Sequence, residues 1–153
     1  MRYPTLTHLV ALSDDVGIIQ HGTHDVPNRS TGYCTDDVSR ALIVATAAMR
    51  VPEHAVVAER LARTYLSFLH DAQMPNGQFR NFMGYDRRWL PEPSSEDADG
   101  RTVWALGYLM LRSEREGWKR LAARMLDAVL PTFESHEWSV SYTHLRAHET
   151  GRN

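Results

Sequence analysis

Two pairs of carboxylates stand immediately before amphipathic segments, and an arginine follows each pair. The acids, which are the candidate catalytic residues, are Asp36, Asp37, Glu96 and Asp97. The arginines are Arg40 and Arg101. Two carboxyl groups on either side of a glycosidic oxygen can supply an acid and a base or nucleophile, and a carboxyl crowded by a second one has a raised pKa. The pattern therefore favours chemistry at glycosidic bonds, with Asp37 opposed by Glu96 or Asp97.

Aromatic and hydrogen-bonding side chains occur in the same segments as these acids. Aromatic faces can stack on the apolar surface of a pyranose, while amide and guanidinium groups hydrogen-bond its hydroxyls. This mixture is typical of a saccharide site, and it defines a set of candidate substrate-binding residues. They are His21, Tyr33, Arg40, Arg80, Asn81, Arg101 and Trp104.

Each of these residues also has a structural interpretation. Acids at helix N-termini are frequent because they cap the helix and complement its dipole. Arg40 and Arg101 could simply pair with the acids. Trp104 has the spacing of an apolar helix face, which favours a place in the core. The preference for Asp37 over Asp36 rests only on the correspondence between the two segments.

Metal and nucleotide sites are disfavoured. His21, His24 and Cys34 match no zinc-ligand spacing. The segment that starts at Asp36-Asp37 lacks the third acid of a magnesium–diphosphate motif, and the chain has no glycine-rich phosphate loop. We therefore expect no metal and no cofactor.

The elements that carry these residues are predicted to be four helices. The periodicity predicts one after Thr35 or Asp36 as N-cap, a second from Glu53 to Ala72, a third after Gly100 and a fourth from Glu116 to Leu130. A short strand is predicted within 78–82, and a short helix near Leu9. The order is two helical hairpins that repeat after 60 or 61 residues, with long loops at one end of an all-α domain.

Composition narrows the class of partner. The 153 residues include 17 Lys+Arg and 19 Asp+Glu, a net charge of −2, which is unfavourable for tracking phosphates. No apolar run approaches the roughly 20 residues that cross a bilayer, and no signal-peptide core follows the first residues. We expect a soluble, cytoplasmic protein with no nucleic-acid or membrane partner.

Several ordered motifs lie at 12–21, 26–29, 32–42, 73–82, 95–101 and 104–107. Together they resemble one bacterial family, the helical domains of the six-hairpin glycosidase-like class. These domains occur alone or behind a group 1, family 4-like glycosyltransferase domain. The resemblance implies an (α/α)6 toroid of which this chain supplies about two hairpins, a saccharide substrate, and a transferase domain as a possible neighbour.

The final residues have a different character. Val140–Thr150 resembles one translated reading frame of a transposon-end sequencing adapter, so we expect 139–153 to be a non-native tail and 1–138 to be a truncated toroid domain. The alternative is a native polar tail. A truncated ring should leave apolar residues such as Trp104 and Leu106 without partners, and the fragment should be poorly stable and inactive alone.

Two functions remain open on the amino-acid sequence alone. The first is part of an enzyme that hydrolyses or transfers glycosyl groups. The second is a non-catalytic helical module that binds glycan or positions an attached glycosyltransferase. Acid-to-amide substitutions should abolish turnover in the first case and alter only affinity or stability in the second.

Overall fold

A computed structural model describes residues 5–134. This part of the chain is mostly helical, as predicted, with four two-residue strands. The helices are α1 (Thr7–Ala11), α2 (Thr35–Ala48), α3 (Ala55–Ala72), α4 (Glu96–Arg112) and α5 (Glu116–Glu134). The strands are β1 (Gly22–Thr23), β2 (Val26–Pro27), β3 (Tyr33–Cys34) and β4 (Phe82–Met83), and they form the antiparallel pairs β1–β2 and β3–β4. The predicted boundary near Trp138 and the adapter-like segment lie outside the described residues.

The long helices form because each carries an apolar stripe that the neighbouring helix buries. In α2 the buried positions include Val38, Leu42 and Ala45, and in α3 they include Tyr65 and Leu69. Three- and four-residue spacing puts such positions on one helix face. Helix α2 packs against α3 and α4, and α4 packs against α5, so the two hairpins lie side by side.

Helices α2 and α4 run parallel, with their first turns adjacent. The hydroxyls of Ser39 and Thr102, each near the start of its helix, are 2.9 Å apart and buried. The long segments 13–34 and 73–95 lead into these two helix starts, whereas 49–54 and 113–115 connect the helices at the opposite end. The prediction that the long loops gather at one end is confirmed.

The two hairpins repeat at an offset of 60 residues. Val38, Ser39, Leu42 and Ala45 of α2 are buried, and so are the residues 60 positions later in α4, which are Ala98, Asp99, Thr102 and Ala105. The outer helices follow the same rule, since Ala62, Tyr65 and Leu69 correspond to Ala122, Met125 and Val129. The burial pattern thus selects 60 over 61 and makes Asp97 the counterpart of Asp37.

Helix starts differ from the predictions by a few residues. Helix α4 begins at Glu96, before the predicted Gly100, because the Ser95 Oγ accepts a hydrogen bond from the Ala98 N–H at 3.1 Å. Neither Thr35 nor Asp36 caps α2. The N-cap is Cys34, whose side chain makes no capping bond, and the Thr35 hydroxyl donates to the Arg80 carbonyl at 2.5 Å.

Other boundaries differ as well. Helix α3 begins at Ala55, after a turn in which the His54 N–H donates to the Val51 carbonyl. Helix α5 continues through Pro131, the predicted stop, because Phe133 beyond it still packs against the core. Within the predicted strand 78–82, only Phe82 belongs to β4.

The solvent-facing side of α4 is apolar along part of its length. Trp104 is 57% exposed and Leu111 is 75% exposed, and Val44 on α2, 60 positions before Trp104, is 49% exposed. The exposure of Trp104 agrees with the expectation that it lacks packing partners, while the truncated ring from which that expectation came stays a prediction. The same expectation is wrong for Leu106, which is 0% exposed because it lies on the opposite face of α4 within the core.

Candidate functional site

The first turns of α2 and α4 are joined through Asp36. Its Oδ2 accepts a hydrogen bond from Arg40 Nη2 at 2.8 Å, and its Oδ1 accepts one from Arg101 Nε at 2.9 Å. Both oxygens of this largely buried carboxylate are therefore engaged by arginines, one from its own helix and one from α4. The structural interpretation of Arg40 and Arg101 as partners of an acid is confirmed, and Asp36 is poorly placed to act as a catalytic acid.

Asp37 lies next to this ion-pair network but outside it. Its carboxylate is half-buried and receives no hydrogen bond or salt bridge from the residues at 5–134. Burial raises the pKa of Asp37, and the negative charge of Asp36 raises it further, while the positive charges of Arg40 and His21 act in the opposite direction. Asp37 therefore holds its proton to a higher pH than an ordinary aspartic acid does.

Glu96 and Asp97 lie in the first turn of α4, where both are exposed. Within the described part of the chain, neither side chain makes a hydrogen bond or ion pair. Ser95, not an acid, supplies the cap. The two acids are free to meet a ligand, but no contact holds either at a set distance from Asp37.

A third acid of the α4 start, Asp99, is structural. It is 3% exposed, and its Oδ1 accepts a hydrogen bond from the Phe79 N–H at 2.8 Å. Its Oδ2 accepts a second bond from Gln78 Nε2 at 3.3 Å. Asp99 thereby holds the loop after α3 against the start of α4, next to the candidate site.

Tyr33 is a predicted substrate-binding residue, and the structure places it among buried side chains. The residue is 1% exposed, and its hydroxyl donates to Asp14 Oδ2 at 2.7 Å. Burial and the neighbouring Asp14 carboxylate raise the pKa of Tyr33 far above the ordinary tyrosine value. On the ring's outer side it stacks against Tyr85, with ring centres 6.3 Å apart. Tyr33 therefore braces the loop instead of presenting a surface.

Arg80 and Asn81 support the start of α2. The Asn81 carbonyl accepts a hydrogen bond from the Thr35 N–H at 2.8 Å, and the Asn81 Oδ1 accepts one from the Cys34 thiol at 3.7 Å. Burial raises the pKa of Cys34, which keeps the thiol protonated. The Arg80 guanidinium lies 5.7 Å from the Trp89 ring centre. Both predicted binding residues thus have structural contacts at this end.

His21 and Trp104 are exposed, as is Arg40, but unlike Arg40 they are not held in the ion-pair network of Asp36. The imidazole of His21 is close enough to Asp37 to lower its pKa electrostatically. Trp104 lies one turn after Arg101 on α4. The expectation that Trp104 belongs to the core is wrong, because the residue is 57% exposed. Val44, at the equivalent position of α2, is also exposed and is not among the predicted residues. The 60-residue repeat is the sequence signal that relates it to Trp104.

Neither a cluster of metal ligands nor a membrane-spanning helix occurs among residues 5–134. No three His, Cys, Asp or Glu side chains of this range come together in a way that could hold a metal ion. No helix in that part of the chain is both long and apolar enough to span a membrane.

Comparisons with known proteins add no family assignment. No protein-family model matches the sequence, and no curated protein matches it. The resemblance to the six-hairpin glycosidase-like class, and the toroid it implies, therefore stay predictions that rest on the motifs.

Proposed function

We propose that this chain belongs to a carbohydrate-active protein that hydrolyses or transfers glycosyl groups. The reaction takes place at the adjacent starts of α2 and α4. The observation that carries the proposal is the state of Asp37, a half-buried carboxyl with a raised pKa and with no hydrogen bond or ion pair from the described residues. A carboxyl in this condition is suited to give a proton to a leaving glycosidic oxygen.

The neighbouring charges support that role. Asp36 stays bound to Arg40 and Arg101, so it contributes a fixed negative charge beside Asp37. Two carboxyls in different surroundings, one held in ion pairs and one with a raised pKa, are the usual basis for dividing acid and base roles. In this proposal Asp36 and its arginines position and tune Asp37 but do not touch the reacting bond.

Asp97 is the preferred second carboxyl, with Glu96 as its neighbour. It lies 60 positions after Asp37, and the two hairpins repeat at that offset, so both acids occupy the same solvent-facing side of their helices. As an exposed carboxylate it can act as base or nucleophile. The separation between the two carboxyls decides whether the reaction inverts or retains the configuration at the sugar.

A second function is favoured by one specific observation. No contact from the described residues positions Glu96 or Asp97, whereas Trp104, about two turns further along α4, offers a large exposed aromatic surface. A non-catalytic glycan-binding module, or a scaffold for an attached glycosyltransferase, needs an exposed aromatic surface but does not need carboxylates held at fixed positions.

Turnover of saccharides separates the two functions. The protein to which this chain belongs and its Asp37→Asn variant are incubated with a panel of aryl glycosides and oligosaccharides, and released sugar is measured from pH 4 to 8. We expect Asp37→Asn to abolish release, and the wild-type rate to fall as pH rises through the pKa of Asp37. Asp127→Asn, an exposed acid on α5, is the matched control.

The outcomes differ clearly. Equal rates for wild type and Asp37→Asn contradict the proposed acid. Binding of saccharide without release by the wild type supports the binding module.

A further inference from the structure

A β-hairpin projects from the segment that leads into α2. At its base Ile19 forms an antiparallel bridge with Tyr33, and both residues are buried. The Asn28 N–H donates to the His21 carbonyl at 2.8 Å, and beyond this bond the chain continues through β1 and β2. We call residues 21–28 the flap. The base of the flap is therefore fixed in the core beside the start of α2.

The flap itself is exposed on both of its faces. Every residue in it except Pro27 is exposed, and Val26 is 65% exposed. A two-stranded hairpin without packing on either face is only marginally stable in water. Since the flap buries so little surface against the rest of residues 5–134, it can move on its base without disturbing the core.

His21 marks the face of the flap that borders the candidate site. Its positive charge lowers the pKa of Asp37, so the imidazole lies close to that carboxyl. Thr23 pairs with Val26 in the β1–β2 register, which places these two side chains on one face. His21 shares that face because side chains alternate along a strand. We call His21, Thr23 and Val26 the His21 face.

The tip of the flap has a backbone conformation that glycine adopts more easily. Among residues 5–134, the non-glycine residues with positive φ are His24 (φ 58°) and Arg87 (φ 65°). Arg87 Nη2 donates to both carboxylate oxygens of Asp15, which hold it in place. The His24 side chain makes no hydrogen bond or ion pair within the described part of the chain. Backbone strain of this kind is typical of segments that clamp a ligand.

We propose that the flap closes over the saccharide bound at Asp37 and that its His21 face and its tip contact the sugar. Val26 offers methyl groups to the apolar side of a pyranose, while His21 and Thr23 offer hydrogen-bonding groups to its hydroxyls. The closed flap excludes bulk water from the reacting bond. The inference rests on the proposed function, because the saccharide that holds the flap closed is the one bound at Asp37. The proposed function itself does not require a lid.

A shortened flap gives the strongest test. In the protein to which this chain belongs, residues 22–27 are replaced by Asn-Gly, a two-residue turn that joins His21 directly to Asn28, its present hydrogen-bond partner. The values of kcat and KM are measured with the saccharide of the panel that the wild type cleaves fastest. We expect kcat/KM to fall about tenfold, with the melting temperature unchanged. An unchanged kcat/KM overturns the flap.

Val26→Ala tests the contact face without altering the hairpin. Its matched control is Val56→Ala, because Val56 is an exposed valine of α3. We expect Val26→Ala to lower kcat/KM by about threefold and Val56→Ala to leave it unchanged. Equal effects in the two variants overturn the contact. This pair decides the question if the shortened flap does not fold.

His24→Gly separates strain from binding at the tip. Glycine relieves the positive φ and removes the imidazole, so the melting temperature should stay the same or rise while kcat/KM falls. An unchanged kcat/KM overturns the tip contact.

Closure itself is measured by hydrogen exchange. The Asp37→Asn variant is used, because it should hold the saccharide without cleaving it. Exchange of the backbone amides of residues 22–26 should slow when the saccharide is added, and exchange that does not change overturns closure.

Failure of the proposed function has a different signature. If the wild type releases sugar from no member of the panel, the proposed function fails and the flap inference fails with it. If release is lost in Asp37→Asn but kept with the shortened flap, only the flap inference is overturned and the proposed function stands.

Discussion

The first turns of α2 and α4 carry the same kinds of residue and lie side by side, yet their acids have different surroundings. Asp36 is bound by two arginines, and Asp37 beside it is half-buried with a raised pKa. Glu96 and Asp97 are exposed and, among the described residues, have no such partners. The N-caps differ too. The Ser95 side chain makes a capping hydrogen bond at the start of α4, whereas the side chain of Cys34, the N-cap residue of α2, makes none.

The difference arises from what each helix start contacts. Arg101 of α4 reaches across to Asp36, and residues 80–81 pack onto the start of α2 through Thr35. The buried acid at the start of α4, Asp99, instead binds the loop that precedes the helix. A paired-acid motif at a helix N-terminus is therefore not a site in itself, because the neighbouring elements decide which acids are held and which stay open.

Removal of Asp99, the buried acid of α4, should cause the largest loss in the free energy of unfolding. Asp99→Ala leaves the Phe79 N–H without its acceptor inside the protein, and we expect a loss of about 3 kcal/mol in the free energy of unfolding, measured by urea denaturation. Ser39→Ala, at the equivalent position of α2, is the matched comparison and should cost about 1 kcal/mol, since it removes one neutral hydrogen bond. Equal losses would mean that the two helix starts do not differ in this way.

The bond between the helices should have a smaller effect. Asp36→Ala removes both arginine contacts, and we expect it to lower the free energy of unfolding by about 1 kcal/mol because the pairs are partly exposed. In a double-mutant cycle with Arg101→Ala the two losses should not add. Asp97→Ala, an acid without such a contact, should cost only about 0.3 kcal/mol through the helix dipole. Additive losses at Asp36 and Arg101 would contradict the bridge.

The titration of Asp37 should have the smallest effect on stability, and it tests the difference between the two helix starts. Its pKa is raised, so the native state holds the proton more tightly than the unfolded chain does. The stability that this proton contributes is complete below the ordinary value of 3.8 and is lost as pH rises through the raised pKa. Wild type should therefore lose stability relative to Asp37→Asn across that window, as measured by thermal unfolding at a series of pH values.

Carboxyl NMR identifies the cause of that shift. Asp36→Asn should lower the pKa of Asp37, because a neighbouring negative charge is removed, and Arg40→Ala should raise it. An Asp37 pKa that responds to neither change would assign the whole shift to burial.

Local sequence determined the helices. The apolar periodicity of the four long helices and the turn residues between them depend on short-range spacing, which each segment carries by itself. The 60-residue repeat is visible in the sequence because two segments carry the same short-range pattern. The Ser95 cap and the place of Pro131 inside α5 show the limit, since a helix end also depends on a side-chain hydrogen bond or on core packing beyond the proline.

Only the tertiary structure decided the use of each candidate side chain. Tyr33 and Trp104 are both aromatic candidates in the sequence, but Tyr33 is 1% exposed and Trp104 is 57% exposed. Asp36 and Asp37 are neighbours of the same type, but Arg101, 65 residues further along the chain, binds only the first of them. Burial and ion pairing come from residues distant in sequence, so the state of an acid or an aromatic ring is set by the packing of helices and not by its own segment.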